Sequence, residues 1–327
     1  MTALRSGPLP RMAGRLTFMR SPQAKLGDLA FGTIAVMGVP IEANFGSRCG
    51  CRFGPLALRE TSVYFGWHAN PQLAQPMDIA TRKPFGASTI HQRLLDLGDV
   101  PVDTVASHLV SQTLRDAVMK VVSRGAIPLL LGGDSSITAP SFSGVLKGMS
   151  QRSTPAGRVG YIQLGGQLPL ATSDLVEPSH TVYVCPNPDA DYSFVRNFKE
   201  QGGTIFTAND IECNGVDSVI RSALELAGNG GTGIYASFDL SVVSSDWHGM
   251  TNRPAFDALD GATTAKALSI LGDGPVVALD VVGLNPALNQ LSVVKTGQRL
   301  IVSCLLGFIQ SRTNVPCQPS QLPVPMQ

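Results

Sequence analysis

The sequence of 327 residues lacks the features that mark several large classes of protein. Lysine and arginine number 25 against 24 acidic residues, and no long run of either charge appears, so nothing favours a nucleic-acid or anionic-membrane partner. No apolar run approaches the ~20 residues that a membrane-spanning helix needs. Residues 1–20 carry four arginines but no apolar segment after them, so we expect no secretory signal and a cytoplasmic location.

Cysteine motifs and nucleotide-binding motifs are also missing. Six cysteines without regular spacing favour a reducing compartment over a disulfide framework. The close pair Cys49-Gly-Cys51 matches neither metal nor redox spacing, and we interpret it as two small residues in a tight loop. No nucleophile elbow, phosphate-binding loop or GxGxxG signature is present. These motifs therefore do not indicate a function for this chain.

What the chain does contain is a regular alternation of short apolar runs and helical patterns. With 43% apolar residues it can bury a full core. Because nearly continuous apolar runs are typical of parallel strands covered on both faces, we predict a three-layer αβα sandwich with a doubly wound, mainly parallel sheet of about eight strands. The predicted strands are 33–39, 94–98, 127–131, 158–164, 181–185, 203–207, 233–239 and 275–282. The predicted helices are 55–65, 103–124, 192–201, 215–228, 262–271 and 292–311.

The domain organisation follows from the same alternation. No internal repeat or Gly/Ser linker divides the chain, so we predict an N-terminal arm (1–30), a single α/β domain (31–312) and a proline-rich tail (313–327). Ligands of open α/β sheets bind outside the carboxyl ends of the strands. The residues that follow predicted strand ends therefore mark a crevice, and almost none of them is ionisable: Ser135, Gly165 to Pro169, Asp239 to Ser241, and Gly283.

Several ordered segments carry a family resemblance. They are Gly38-Val-Pro40, Arg48 to Glu60, Asp96 to Val100, Leu129 to Thr138, Val159 to Pro169, Tyr235 to Ser241, and Asp280-Val-Val-Gly283-Leu-Asn-Pro286. They resemble the segments GVP, RxGxRFGPxAIRE, GDV, LGGDHSIT, HFDAHxD, SFDxDxxDP and DvvEvNP of the ureohydrolase (arginase/agmatinase) family. The resemblance covers roughly residues 30–312 and implies the arginase-like α/β fold. In the Arg48 to Glu60 segment we expect a tight loop leading into a helix, with Arg52 or Arg59 available to pair with nearby carboxylates.

The resemblance also implies where the family's two divalent metal ions would be held. Transferred position by position, the six ligand positions carry Ser135, Gly165, Gln167, Pro169, Asp239 and Ser241. Only Asp239 keeps a family ligand, Gln163 replaces the leading His of HFDAH, and Gly283 replaces the glutamate that grips the guanidinium. We therefore expect no catalytic residue, no metal and no other cofactor in this chain. Asp134 is expected to stabilise a turn.

Three hypotheses about function remain open. In the first, the chain is a non-catalytic ureohydrolase-fold subunit that joins a metal-bearing paralogue, holding two nickel or manganese ions, in a hetero-oligomeric trimer or hexamer. Some hydrolases of guanidine and biguanide compounds combine a metal-bearing subunit with one that lacks the ligands, and this chain resembles the second kind. In the second, it is a regulatory or small-molecule-binding protein that uses the emptied crevice. In the third, it is an independent enzyme of other chemistry. Asp239, Asp246 and His248 could together bind a single ion, but we interpret this segment as a solvated loop.

Overall fold

The structure is a computed structural model. It describes residues 15–43, 48–65, 77–78, 83–84, 93–101, 107–152, 157–168, 172–187, 189–244, 251–255, 258–288 and 291–314. Among these residues, no helix is long and apolar enough to cross a membrane.

The centre of the molecule is an eight-stranded sheet in which every neighbouring pair is parallel. Its strands are β1 (Ile34–Val39), β4 (Leu94–Asp99), β5 (Ile127–Gly132), β6 (Val159–Leu164), β7 (Thr181–Val184), β8 (Thr204–Phe206), β9 (Gly233–Asp239) and β10 (Val276–Val282). The order across the sheet is β4-β1-β5-β10-β9-β6-β7-β8. Two short strands, β2 (Met77–Asp78) and β3 (Lys83–Pro84), form a separate antiparallel pair. The predicted arginase-like architecture is confirmed, and all eight predicted strands are present.

Helices cover both faces of this sheet. The helices are α1 (Gly54–Ser62), α2 (Ser107–Ser123), α3 (Thr138–Ser150), α4 (Tyr192–Glu200), α5 (Ala208–Asn214), α6 (Val216–Gly228), α7 (Gly261–Asp273) and α8 (Leu291–Asn314). One buried apolar cluster joins the sheet to α1 and α5–α8, and a second joins it to α2–α4. Alternate residues of β1 enter the two clusters, as expected for a strand buried on both faces.

Two helices are absent from the sequence-based prediction. The sequence of α3 contains Pro140, Gly144 and Gly148, which lower helix propensity. These glycines allow close packing, because a Cβ at Gly144 would lie 2.5 Å from the Arg115 carbonyl oxygen of α2. The predicted helix 215–228 corresponds to α6. The short helix α5 precedes it and was not predicted, and Gly215, with φ +79°, separates the two helices. The capping box of Thr207 and Asp210 at the start of α5 was the overlooked signal.

The segment before β1 packs against the domain. Phe18 and Met19 are fully buried in the core cluster on the α1 side. The Asp96 carboxylate of β4 accepts a hydrogen bond from the Phe18 backbone N–H (2.7 Å) and two from the Arg59 guanidinium (2.9 and 3.0 Å). The prediction that Arg59 pairs with carboxylates is therefore confirmed. This buried ion pair ties the N-terminal segment, helix α1 and the edge strand together.

The described part of α2 begins at Ser107. Asp103, the first residue of the predicted helix 103–124, lies outside the described residues. At the other end, Gly125 follows the helix with φ +78°, the left-handed conformation expected where a helix stops at glycine.

Candidate functional site

The candidate positions converge on one edge of the sheet. Strands β5, β10, β9 and β6 are consecutive neighbours and all run in the same direction, so their carboxyl ends meet. Hydrogen bonds join the segments beyond these ends: the Gly283 N–H donates to the Gly133 carbonyl (2.9 Å), and the Gly166 N–H donates to Ser241 Oγ (2.7 Å). The crevice predicted from strand ends is thus formed by the expected segments.

Gly165, which follows β6, has no room for a side chain. Its φ of +75° favours glycine, and a Cβ there would lie 2.7 Å from the Val242 backbone nitrogen and 2.8 Å from the Asp239 carbonyl oxygen. Both close neighbours are backbone atoms, which cannot rotate away as a side chain would. An aspartate at this position would require the backbone between β6 and β9 to shift.

The side chain of Gln163 fills space beside this glycine. Gln163 is 1% exposed; its Oε1 accepts a hydrogen bond from the Tyr161 hydroxyl (2.9 Å), and its Nε2 donates to the Gly165 carbonyl (2.6 Å). A Cβ on Gly166 would lie 2.2 Å from the same Nε2. The amide therefore fixes the turn after β6 with neutral hydrogen bonds, and this buried network needs no cation.

Asp239 ends β9 and points toward Gly283. Its Oδ1 accepts a hydrogen bond from the Ser241 backbone N–H (2.8 Å). Burial raises the pKa of Asp239 above its ordinary value, while hydrogen bonds from Ser241 and the charge of Arg253 oppose that shift. Gly283 has φ +87°, and a Cβ there would be 3.4 Å from Asp239 Oδ1. At this position the crevice is open, unlike at Gly165.

The remaining predicted positions lie around this centre. Ser135 opens the short 3-10 helix after β5 and is partly buried. Gln167 turns outward, where its Nε2 donates to the Asp189 carboxylate (3.2 Å). Pro169, Asp246 and His248 lie outside the described residues. Asp134 stabilises its turn, because its Oδ1 accepts a hydrogen bond from the Ser136 backbone N–H (3.1 Å).

One acidic residue near the crevice lies outside the positions that the sequence marked. The Glu42 carboxylate lies beside the crevice and accepts hydrogen bonds from the Gly50 N–H (2.7 Å) and the Cys51 N–H (3.0 Å). Burial raises the pKa of the Cys51 thiol to about 12, and the charges of Glu42, Asp134 and Asp239 contribute. Three carboxylates therefore act on one buried thiol. The sequence signal was a glutamate two residues after Gly38-Val-Pro40, ahead of a glycine-containing loop.

A second carboxylate, Asp280, opens the segment that resembles the family's DvvEvNP motif. Asp280 of β10 is 0% exposed and accepts hydrogen bonds from the hydroxyls of Ser237 and Tyr235 (2.6 Å each). Burial raises its pKa to about 6, against the pull of these hydroxyls, and the charge of Asp239 adds to the rise. This carboxyl lies within the sheet, beneath the crevice.

These residues do not fit a pair of divalent metal ions. Such ions need several anionic oxygen or imidazole ligands. Gly165 offers none and is closed to one, and Ser241 Oγ already accepts from the Gly166 N–H. Within the described ranges, no three histidine, cysteine, aspartate or glutamate side chains are grouped so that they could hold an ion.

Comparison with known sequences identifies the family of this chain. The sequence model of the Arginase family matches residues 32–168 and 151–307. The guanidinobutyrase of Pseudomonas aeruginosa is 24% identical over 287 residues, covering 80% of this chain and 81% of that protein. The agmatinase of an Enterobacter species is 23% identical over 267 residues, covering 79% and 81%.

Solved structures share the fold. The proclavaminate amidino hydrolase of Streptomyces clavuligerus superposes with a TM-score of 0.72 at 20% identity, covering 93% of this chain and 100% of that one. A hypothetical agmatinase of Burkholderia thailandensis gives a TM-score of 0.73 at 22% identity, covering 93% of both chains. The formimidoylglutamase of Bacillus subtilis gives 0.74 at 17% identity, covering 97% of both. At these identities the similarity establishes the architecture.

Proposed function

This chain belongs to the arginase family, and we propose that it serves as a non-catalytic subunit that supports a metal-bearing paralogue. The relatives named above include a guanidinobutyrase and a proclavaminate amidino hydrolase, so the complex would hydrolyse C–N bonds of guanidine-type compounds. The chain itself supplies fold and contact surface, and the paralogue supplies the chemistry.

One observation carries the proposal: the backbone around Gly165 leaves no space for a ligand side chain. A position that had merely lost its aspartate would keep room for one. Here the turn has closed, with Val242 and Asp239 backbone atoms within 3 Å of where a Cβ would be. Gln163 and Ser241 hold the closed turn through hydrogen bonds to Gly165 and Gly166. The groups that hold this closed turn are neutral, so the turn needs no cation to balance a charge.

The partner in this proposal is a paralogue with an intact ligand set, holding two divalent ions, nickel or manganese. The assembly is a hetero-oligomer, a trimer or a hexamer. The substrates are guanidine or biguanide compounds, and the paired subunits of bacterial metformin hydrolase are the arrangement that this chain resembles. The low charge content, 15% of residues, is compatible with a large apolar interface.

A second candidate is a binding protein that holds an organic cation in the crevice. The observation that favours it is the group of carboxylates from Glu42, Asp134 and Asp239 that acts on Cys51. Against it, all three carboxylates already accept backbone hydrogen bonds, which stabilise the anions without a cation. Isothermal titration of the chain alone with agmatine and 4-guanidinobutyrate separates the two: binding at micromolar concentrations favours the second candidate.

The test of the first candidate is co-expression with a metal-bearing paralogue. We expect an active mixed oligomer by native mass spectrometry, weak activity from the paralogue alone, and no activity from this chain alone. Elemental analysis should find nickel or manganese only in proportion to the paralogue. Full activity of the paralogue alone at matched metal occupancy, with no mixed complex, would contradict the proposal, as would stoichiometric metal in this chain alone.

A further inference from the structure

A cavity of about 190 Å³ lies apart from the crevice, between β7, α4 and the segment 172–178. Thr181, at the start of β7, lies in its wall, whereas the crevice is beyond Val184 at the other end of that strand. The buried walls are formed by Thr172, Val176, Thr181, Tyr183 and Phe198. The exposed side chains of Ser173, Asn197 and Gln201 form the mouth. We propose that this cavity binds a small, neutral, single-ring aromatic molecule with one polar substituent, of the phenol class.

The absence of charge in the cavity determines the charge of its ligand. None of the ten lining residues is aspartate, glutamate, lysine, arginine or histidine. Burial raises the pKa of the Tyr183 hydroxyl to about 12, so that group is neutral at physiological pH. An ionised ligand would lose its hydration here without gaining a counter-charge. A neutral ligand avoids this cost.

The aromatic walls favour a ring. The ring centroids of Tyr183 and Phe198 are 5.0 Å apart with their planes at 47°, and those of Phe194 and Phe198 are 5.8 Å apart and stacked. Further rings add favourably to such arrangements at similar separations. Benzene fills an engineered apolar cavity of ~150 Å³ in another protein, so 190 Å³ accommodates one ring with one small substituent.

The mouth provides partners for that substituent. Asn197 lies in the last turn of α4 and Gln201 directly follows the helix, and neither side chain hydrogen-bonds to another group in the described part of the chain. Each amide offers donors and an acceptor. The ring therefore packs against the exposed faces and edges of Tyr183 and Phe198 that line the cavity, and the hydroxyl or amide of the ligand stays at the mouth. This assignment is independent of the proposed function, because it uses no residue of the crevice.

The experiment uses phenol as the probe and ligand-observed NMR on the full chain. We expect a dissociation constant on the order of 0.1–1 mM, as suits a ligand of few atoms. Benzoate and benzylammonium carry the same ring with a charge and should bind at least tenfold more weakly. No phenol binding at 10 mM, or equal affinity for either ion, would overturn the proposal.

A substitution at the mouth locates the site. Asn197→Trp places a large side chain at the exposed entrance and should weaken phenol binding at least tenfold. The matched control is Lys199→Trp, which adds the same side chain to an exposed position of α4 that does not line the cavity. Equal binding by both variants would place the ligand elsewhere. Independently of any variant, a crystal soaked in 4-bromophenol should show a bromine anomalous peak in this cavity, and its absence with bromine bound elsewhere contradicts the assignment.

Discussion

Replacing Asp280 by asparagine should stabilise this protein at neutral pH. Asp280 is completely buried, and its carboxyl accepts hydrogen bonds from the hydroxyls of Ser237 and Tyr235, while the Thr138 hydroxyl also lowers its pKa. Hydroxyls stabilise a carboxylate less than a cation does, which is why burial prevails and its pKa is about 6 instead of 3.8. Asparagine has nearly the same shape, accepts from one hydroxyl and donates to the oxygen of the other.

The size of the stabilisation by Asp280→Asn follows from the pKa values of Asp280 in the unfolded and the folded protein. Below the unfolded value of 3.8, both states are protonated and the carboxyl imposes no cost. Between 3.8 and about 6, the unfolded chain releases its proton first, so the free energy of unfolding decreases as the pH rises. Above about 6 the folded carboxyl is also ionised, and the full penalty, about 3 kcal/mol from a shift of roughly two pKa units, is present. Asp280→Asn removes this pH dependence.

The assay is urea denaturation at pH 5 and pH 8, followed by circular dichroism. At pH 8 we expect the variant's midpoint to lie up to about 1 M above that of the wild type, with a smaller difference at pH 5. The matched control is Asp96→Asn, a buried aspartate that accepts hydrogen bonds from the Arg59 guanidinium. Breaking this buried ion pair should destabilise the protein by about 3–5 kcal/mol.

The two aspartates thus carry opposite expectations for the same substitution. If Asp280→Asn lowers the midpoint at pH 8 by as much as Asp96→Asn does, the carboxylate is a net stabilising group. The inference that burial dominates its energetics would then be wrong.

Three further predictions concern the crevice. Gly165→Asp should bind no metal by elemental analysis and should lose about 3 kcal/mol through backbone strain and overpacking, whereas Gly230→Asp, with a positive φ of +64° but open space, should lose about 1 kcal/mol; equal losses would refute the argument from steric closure. Asp239→Asn should leave the activity of an assembled complex within about twofold, since only a local hydrogen bond changes; a hundredfold loss in an intact complex would make Asp239 catalytic. At pH 8, iodoacetamide should modify exposed Cys49 and spare buried Cys51, whose pKa is about 12, as peptide mass mapping will show; rapid labelling of Cys51 would contradict its burial.

The strands were predictable because their burial is nearly total. Runs such as Ile127–Gly132 and Val159–Leu164 are buried along their whole length, and such segments read as continuous apolar sequence. Helix α3 was not predictable in the same way. Its Gly144 and Gly148 contact α2 closely, a tertiary requirement that outweighs low propensity and leaves no periodic pattern to read.

The candidate site was also predictable only in part. Its location follows from strand ends, and Gly165, Asp239 and Gly283 lie where the sequence placed them. The closure at Gly165 depends on the approach of the β9 turn, at 2.7–2.8 Å from a Cβ, and no local pattern encodes that distance. Glu42 was missed for the same reason, because its partners Gly50 and Cys51 are brought to it by a loop whose path the sequence does not reveal.

The acidic groups near the crevice share one property, which bears on whether metal ions could be held there. Each of them accepts hydrogen bonds from fixed neutral donors: backbone N–H groups for Glu42, Asp134 and Asp239, and hydroxyls for Asp280. Oriented N–H groups stabilise anionic oxygens and therefore do part of what a cation would do. A metal ion placed here would have to compete with donors already in place, while Gly165 and Ser241 would still provide no anionic ligand. Under the proposed function, building a metal centre here requires remodelling the turns after β6 and β9, and we expect single substitutions at the six family ligand positions to be insufficient.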